Sequence, residues 1–225
     1  MDNILFSNVT DAKQKIAYDD EGNRLKKDDW HKKHPWYYKG KVKRSIEAHH
    51  LIVSESVRSP SSYKPILEKF GYDINCKENG VMLPFYMDLA CHLTVPLHRG
   101  NHDQGEGLAS HNYPDSVIVL LKELSAEIES GSLCESGNSG ANFKSQINKI
   151  SNNILGYISN FDWTIGRDGK DFEKDSPIGC GNVENIGDNK DKECNYRSNN
   201  ETHQFYDVEK RKNIIINKRN LSIGK

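Results

Sequence analysis

Apolar positions along the chain change period several times, and each change marks a candidate element. Residues 14–27 read as a short hairpin, with Asp20-Glu21-Gly22-Asn23 supplying the turn. Residues 48–53 (AHHLIV) have the apolar, β-branched content of a strand. A helix is predicted over 61–70 and stopped at Gly71, because glycine takes the left-handed conformation of a helix C-terminus without strain. Residues 79–85 form a second candidate strand, begun by an Asn-Gly turn and ended by Pro84. Over 95–102 the pattern suggests a short helical or turn segment, and 103–111 is a glycine-rich loop. Pro114 opens a helix that carries Val117, Leu120, Leu121, Leu124 and Ile128 at helical spacing. The same spacing returns at Phe143, Ile147, Ile150, Ile154 and Ile158, while 129–142 is rich in Gly and Ser and reads as a linker. A hairpin is predicted over 161–172, polar chain over 177–203, and a final strand over 213–217.

These elements imply an α+β protein without internal repeats. The expected organisation is an N-terminal hairpin extension (1–24), a core domain (25–130), a linker (131–142) and a C-terminal accessory segment (143–225). Only 35% of the 225 residues are apolar and the mean hydropathy is -0.78, enough for a core over roughly two thirds of the chain. No apolar run reaches membrane-spanning length, and the N-terminus shows no basic-then-apolar leader. The five cysteines form no CxxC pair, so a soluble protein folded under reducing conditions is expected. Cys180, Cys194 and His203 match no zinc module, and free thiols are the expectation there.

A net charge of -1 hides local asymmetry. Residues 24–44 are strongly basic with interleaved aromatics, 210–225 are basic, and 168–193 lean acidic. Counterion release depends on local Lys and Arg, so Lys41, Lys43 and Arg44 are candidates for a nucleic-acid backbone. A solvated basic face accounts for the same charges.

The histidines carry the sharper signal. Four of the nine occur as His49-His50 and as His98-Arg99-Gly100-Asn101-His102. On a strand, adjacent side chains point to opposite faces, so one of His49 and His50 can meet a metal while the other meets a substrate. On a helix, residues four apart share a face, so His98 and His102 can reach one ion. Three neutral imidazoles with an open position make a catalytic rather than a structural metal site, and a spare imidazole suits proton abstraction near neutral pH. Arg99, inside the second pair, either grips a phosphate or projects into water.

Glu47-Ala48-His49-His50-Leu51-Ile52, Phe70-Gly71-Tyr72-Asp73-Ile74-Asn75, Asn79-Gly80-Val81-Met82-Leu83-Pro84 and the segment Leu97 to His102 occur in an order that resembles the AHH nuclease family of the HNH/endonuclease VII (ββα-metal, His-Me finger) superfamily. The resemblance covers residues 47–124. It implies a small ββα-metal core with flanking helices, His49, His98 and His102 as metal ligands, and His50 as general base. It also implies that Asn79 is the structural Asn that ties the metal-finger loop, and makes Tyr113, close to His111, the family's tyrosine. One divalent ion (Zn, Mg, Mn or Ni) is implied as cofactor, with DNA as substrate. Members of the family are commonly bacterial toxin domains, including type VI and polymorphic-toxin effectors. That implies a cognate immunity protein, a secretion-system component, and a chain made in the bacterial cytoplasm that acts in a target cell. A non-catalytic zinc-stabilised nucleic-acid-binding module, an effector acting through protein contacts and an RNase of the same superfamily are the alternative readings.

Overall fold

Segments of opposite chemical character along the chain leave each element with one face to bury, and in the computed structural model those faces meet around one small strand pair. The structure describes residues 17–18, 24–25, 32–58, 63–74, 76–99, 101–131, 139–166 and 204–224. The predicted N-terminal hairpin is present as β1 (Ala17–Tyr18) paired antiparallel with β2 (Arg24–Leu25). The central pair is β3 (Ile46–His50), followed by α1 (Ser54–Arg58), α2 (Tyr63–Lys69), a 3-10 turn (Lys77–Asn79) and β4 (Gly80–Pro84). α3 (Met87–Leu93), two 3-10 turns (His102–Gln104 and Leu108–Ser110), α4 (Tyr113–Glu129) and α5 (Ser139–Ser159) come next. A hairpin of β5 (Gln204–Asp207) and β6 (Lys212–Ile215) closes the described order.

β3 and β4 run antiparallel, from Ile46 opposite Pro84 to His50 opposite Gly80. Period-two alternation gives the pair two different faces. Ile46, Ala48 and Met82 share a face with Trp36, Tyr37, Tyr38, Leu89, Leu93, Phe205 and Ile216. Val81 and Leu83, on the opposite face, pack with Leu51, Ile52, Tyr113 and Val117, and with Phe143, Ile147 and Ile154 of α5. Two strands alone are marginal in water, so this pair depends on both layers. Both helices and the C-terminal hairpin therefore contribute to the packing that holds the pair, although they lie far apart in sequence.

The α+β class, the helix end at Gly71 and the helix start at Pro114 follow the sequence. Gly71 has φ +63 and Tyr72 N–H donates to the Leu67 carbonyl at 2.8 Å, as expected of a helix end at Gly71. Asn112 caps α4 by accepting from Asp115 N–H at 2.8 Å, with Pro114 in the first turn. α1, α3 and β5 lie where no element was expected, and α5 begins four residues before Phe143, inside the expected linker.

Four expectations need correcting. The first strand stops at His50 instead of running to Val53, because Asn79 captures the backbone beyond it: Leu51 N–H donates to the Asn79 carbonyl and Ile52 N–H to Asn79 Oδ1. His98 and His102 do not share a helix. His98 lies outside any helix with its N–H bonded to the Pro84 carbonyl at 2.8 Å, and His102 starts a 3-10 turn. Pro96 and Gly100 are poor interior helix residues, and the bond to Pro84 holds the chain beside β4 instead. Residues 161–166 form bends with no strand, while 167–172 of that predicted hairpin lie outside the described residues. Cys91 is disulfide-bonded, against the expectation of reduced thiols; Cys76 is free, and Cys180, Cys194 and His203 lie outside the described residues. Among the described residues no helix is long and apolar enough to cross a membrane.

Asn79 is fully buried and uses all of its amide capacity. Its Nδ2 donates to the Ile52 carbonyl at 3.0 Å and the Ile74 carbonyl at 2.8 Å. Its Oδ1 accepts from Ile52 N–H at 2.8 Å and from the Ser151 hydroxyl at 3.1 Å. One side chain thus joins the end of β3, the start of β4 and α5. Asn79→Ala orphans several buried groups and is expected to cost roughly 3 kcal/mol in urea denaturation, against about 1 kcal/mol for Ser151→Ala. Equal costs for the two would show that the amide is not the central tie.

Candidate metal centre

Strand alternation puts His49 on the face of β3 that meets α4, one position beyond Ala48, whose side chain goes to the other layer. His49 is buried, and its Nε2 lies 2.9 Å from the Tyr113 hydroxyl. That hydroxyl donates its single proton to the Leu51 carbonyl at 2.8 Å. Toward His49 it can therefore only accept, so His49 carries its proton on Nε2 and keeps a lone pair on Nδ1. Nδ1 is a buried nitrogen with no hydrogen-bond partner in the protein.

His98 and His102 reach the same place from the chain beyond β4. Their rings lie with centroids 4.9 and 5.1 Å from that of His49, and their Nε2 atoms are 3.2 Å apart. The three residues each bring a nitrogen within 4.8 Å of the others. Two imidazole nitrogens on a tetrahedral zinc, each about 2.05 Å from it, stand about 3.3 Å from one another. Two imidazole nitrogens 3.2 Å apart and an orphaned third suit a cation-binding donor set. The residues fit a divalent ion.

Burial, aided by the neighbouring His98, His102 and His50, pushes the His49 imidazole well below its ordinary range. Burial also lowers His102 to about 4, with His98 and His50 adding to the effect and Glu55 and Asp103 opposing it. Neutral imidazole is the ligand form, so the pocket holds these rings ready for an ion rather than for protons. His50 follows His49 on β3 and stands opposite Gly80, close enough to act electrostatically on both His49 and His102.

The glycine-rich stretch after His102 does not carry Tyr113 away from the site. Glu106 accepts from Thr164 N–H and donates its own N–H to Thr164 Oγ1, both at 2.9 Å, which staples this loop to the chain after α5. A Cβ at Gly107 would collide with Ser116, whose hydroxyl accepts from Leu108 N–H and donates to the Asn112 carbonyl. The folded loop delivers Tyr113 to His49 at the first turn of α4. His111 is exposed at the end of the Leu108–Ser110 turn and joins neither the triad nor the Tyr113 network.

Of the basic residues, Lys41 and Lys43 are exposed in a turn beside β3 and Arg44 and Arg99 are half-buried. Lys43 sits 3.6 Å from Glu47 and 4.5 Å from the centre of the Phe85 ring. The Tyr86 hydroxyl anchors this turn by accepting from Lys43 N–H at 2.8 Å and donating to the Lys43 carbonyl at 3.1 Å. Glu47, 3.6 Å from His98 Nδ1, was missed by sequence reasoning. The available signal was its position two residues before His49, on the same strand face.

The lowered histidines set a pH dependence for the metal-free protein. Between about pH 6.5 and 4 the unfolded chain binds protons that folded His102 refuses, so stability is lost as pH falls through that window. His34, also lowered to about 4 chiefly by burial and then by Arg219, acts in the same direction. Urea midpoints measured in chelator should fall from pH 7 to pH 5, and His102→Gln should flatten part of the fall. A midpoint constant across that range would contradict the buried, neutral ring.

No curated protein and no solved structure matches the chain. The sequence does match, over residues 30–154, the AHH family, described as a nuclease family of the HNH/ENDO VII superfamily with conserved AHH. That span is more than half of the 225 residues and takes in every side chain of the triad, together with His50, Asn79 and Tyr113. The chain belongs to the AHH nuclease family.

Proposed function

We propose that the chain is a metal-dependent endonuclease that hydrolyses DNA phosphodiester bonds. The observation that carries this reading is the convergence of His49, His98 and His102 on one point, with His50 beside them. When bound there, a divalent ion supplies Lewis-acid polarisation of the phosphate and neutralises charge on the leaving oxygen. Zn, Ni, Mn and Mg are the candidates, and three imidazoles favour the first three over Mg.

His50 is the general base. As a neutral imidazole it takes a proton from water aligned with the phosphorus, and the water oxygen bonds to phosphorus. The bond to the 3′ oxygen breaks, and that oxygen takes a proton from solvent water, leaving a 3′-hydroxyl and a 5′-phosphate. Tyr113 keeps the His49 proton on Nε2, and Asn79 holds the turn that follows His50. Lys41, Lys43 and Arg44, in or next to the turn beside β3, contact the nucleic-acid backbone, and Arg99, which follows His98 in sequence, holds an adjacent phosphate.

The family resemblance extends the proposal to an antibacterial effector, delivered by a type VI or polymorphic-toxin system and blocked by a cognate immunity protein.

Plasmid cleavage with a metal series tests the reading. His50→Ala should lower the rate by about a hundredfold or more while metal binding survives, whereas His102→Ala should lose both. Cleavage undiminished by EDTA would remove the ion from the mechanism, and an undiminished His50→Ala rate would remove the base. DNA retention without cleavage by the wild type would indicate a binding module, and RNA cut in preference to DNA would reassign the substrate. In a bacterial host, wild-type expression should arrest growth and His50→Ala should not.

A further inference from the structure

The three rings of the triad are not equally supported. His49 has its second nitrogen fixed by Tyr113, at the end of a chain of hydrogen bonds that reaches the Leu51 carbonyl. His98 turns Nε2 toward His102 and therefore presents Nδ1 on the far side of its ring. Nδ1 is buried, and the atom facing it is Glu47 Oε2 at 3.6 Å. A few tenths of an ångström close that approach to a charge-assisted hydrogen bond. Glu47 has the same strand face as His49 because the two are separated by one residue on β3. Its other oxygen, Oε1, is 3.6 Å from Lys43 Nζ, and Lys43 in turn lies over the Phe85 ring. The carboxylate is thus tethered on one side and aimed at an imidazole on the other. It does not join the cluster of converging ligand atoms, which consists of the three histidines.

We propose that Glu47 is the positioning residue of His98, holding the proton on Nδ1 so that the Nε2 lone pair faces the ion. A carboxylate behind a ligating imidazole fixes the tautomer and ring orientation and raises the basicity of the nitrogen that binds. Without it, His98 in the metal-free protein can carry its proton on Nε2, and binding must first move that proton. Glu47 and Tyr113 then do the same task for two ligands by different means, an anion for the half-buried His98 and a neutral phenol for the buried His49.

The inference rests on the metal-dependent reading above, and two measurements on the full chain separate their failures. Zinc and manganese affinity is measured by competition with a chromophoric chelator, without any nuclease assay. Glu47→Ala should weaken binding about 10- to 100-fold, and Glu47→Gln, which keeps an acceptor but loses the charge, should weaken it less. Ring ¹⁵N shifts of the metal-free protein report the His98 tautomer directly. The wild type and Glu47→Gln should show the proton on Nδ1, and Glu47→Ala should show a mixture of tautomers. A merely structural role would lower the thermal midpoint and leave the tautomer unchanged. Glu47→Ala with wild-type affinity and an unchanged His98 tautomer would overturn the proposal. A wild type that binds neither ion would sink the metal-dependent reading, and the tautomer measurement would then decide by itself whether Glu47 holds His98.

Discussion

One buried amide holds together the part of the chain that the rest of the structure is built upon. Asn79 receives and returns the backbone hydrogen bonds of Ile52, reaches the Ile74 carbonyl, and takes the Ser151 hydroxyl from α5. Leaving such groups unpaired in the interior costs about as much as a small domain can spare. The clamp ends β3 directly after the second histidine and turns the following residues into the core. It also sets where β4 begins, and so the register that places His50 opposite Gly80.

From that register the site follows with little further freedom. His49 and Glu47 share one face of β3, and the Pro84 carbonyl at the end of β4 holds His98 N–H beside them. The loop after His102 is folded tightly enough for Tyr113 to close on His49. Three ligands thus arrive from two segments, with His49 paired in the strand ladder and His98 N–H bonded to the Pro84 carbonyl. Buried rings kept neutral by desolvation cost stability at low pH, and they gain readiness for a cation near neutral pH.

The two layers around the strand pair explain why so small a sheet can carry a site. α4 and α5 cover one face through Val117, Leu121, Ile147 and Ile154, and the aromatic cluster of Trp36, Tyr38 and Phe205 covers the other. His92 joins the second layer to the C-terminal chain through Nε2, which lies 2.7 Å from the Ile216 carbonyl. Gly224 N–H donates to the Gly80 carbonyl at 2.7 Å, so the end of the chain returns to the first residue of β4. Segments remote in sequence from the histidines therefore bear on their geometry.

Local chemistry made much of this legible from the sequence. The helix end at Gly71, the helix start at Pro114, the strand after the Asn-Gly turn and the apolar stripes of α4 and α5 depend on neighbours within a few residues, and they appear where those neighbours put them. The histidine pairs were also legible, because ligand chemistry is written in residue type. Tertiary contacts decided the rest. A helical His98–His102 pair was a fair reading of the spacing, but the Pro84 carbonyl, a partner fourteen positions back, binds His98 N–H instead. The first strand was read to Val53 because Leu51, Ile52 and Val53 suit a strand, yet a side chain 27 residues away captures their backbone. Glu47 behind His98 and Tyr113 behind His49 are likewise long-range pairs, invisible to periodicity. Sequence alone determined which atoms could bind an ion; only folding decided which nitrogen of each ring would face it, because the partner of the other nitrogen lies elsewhere in the chain.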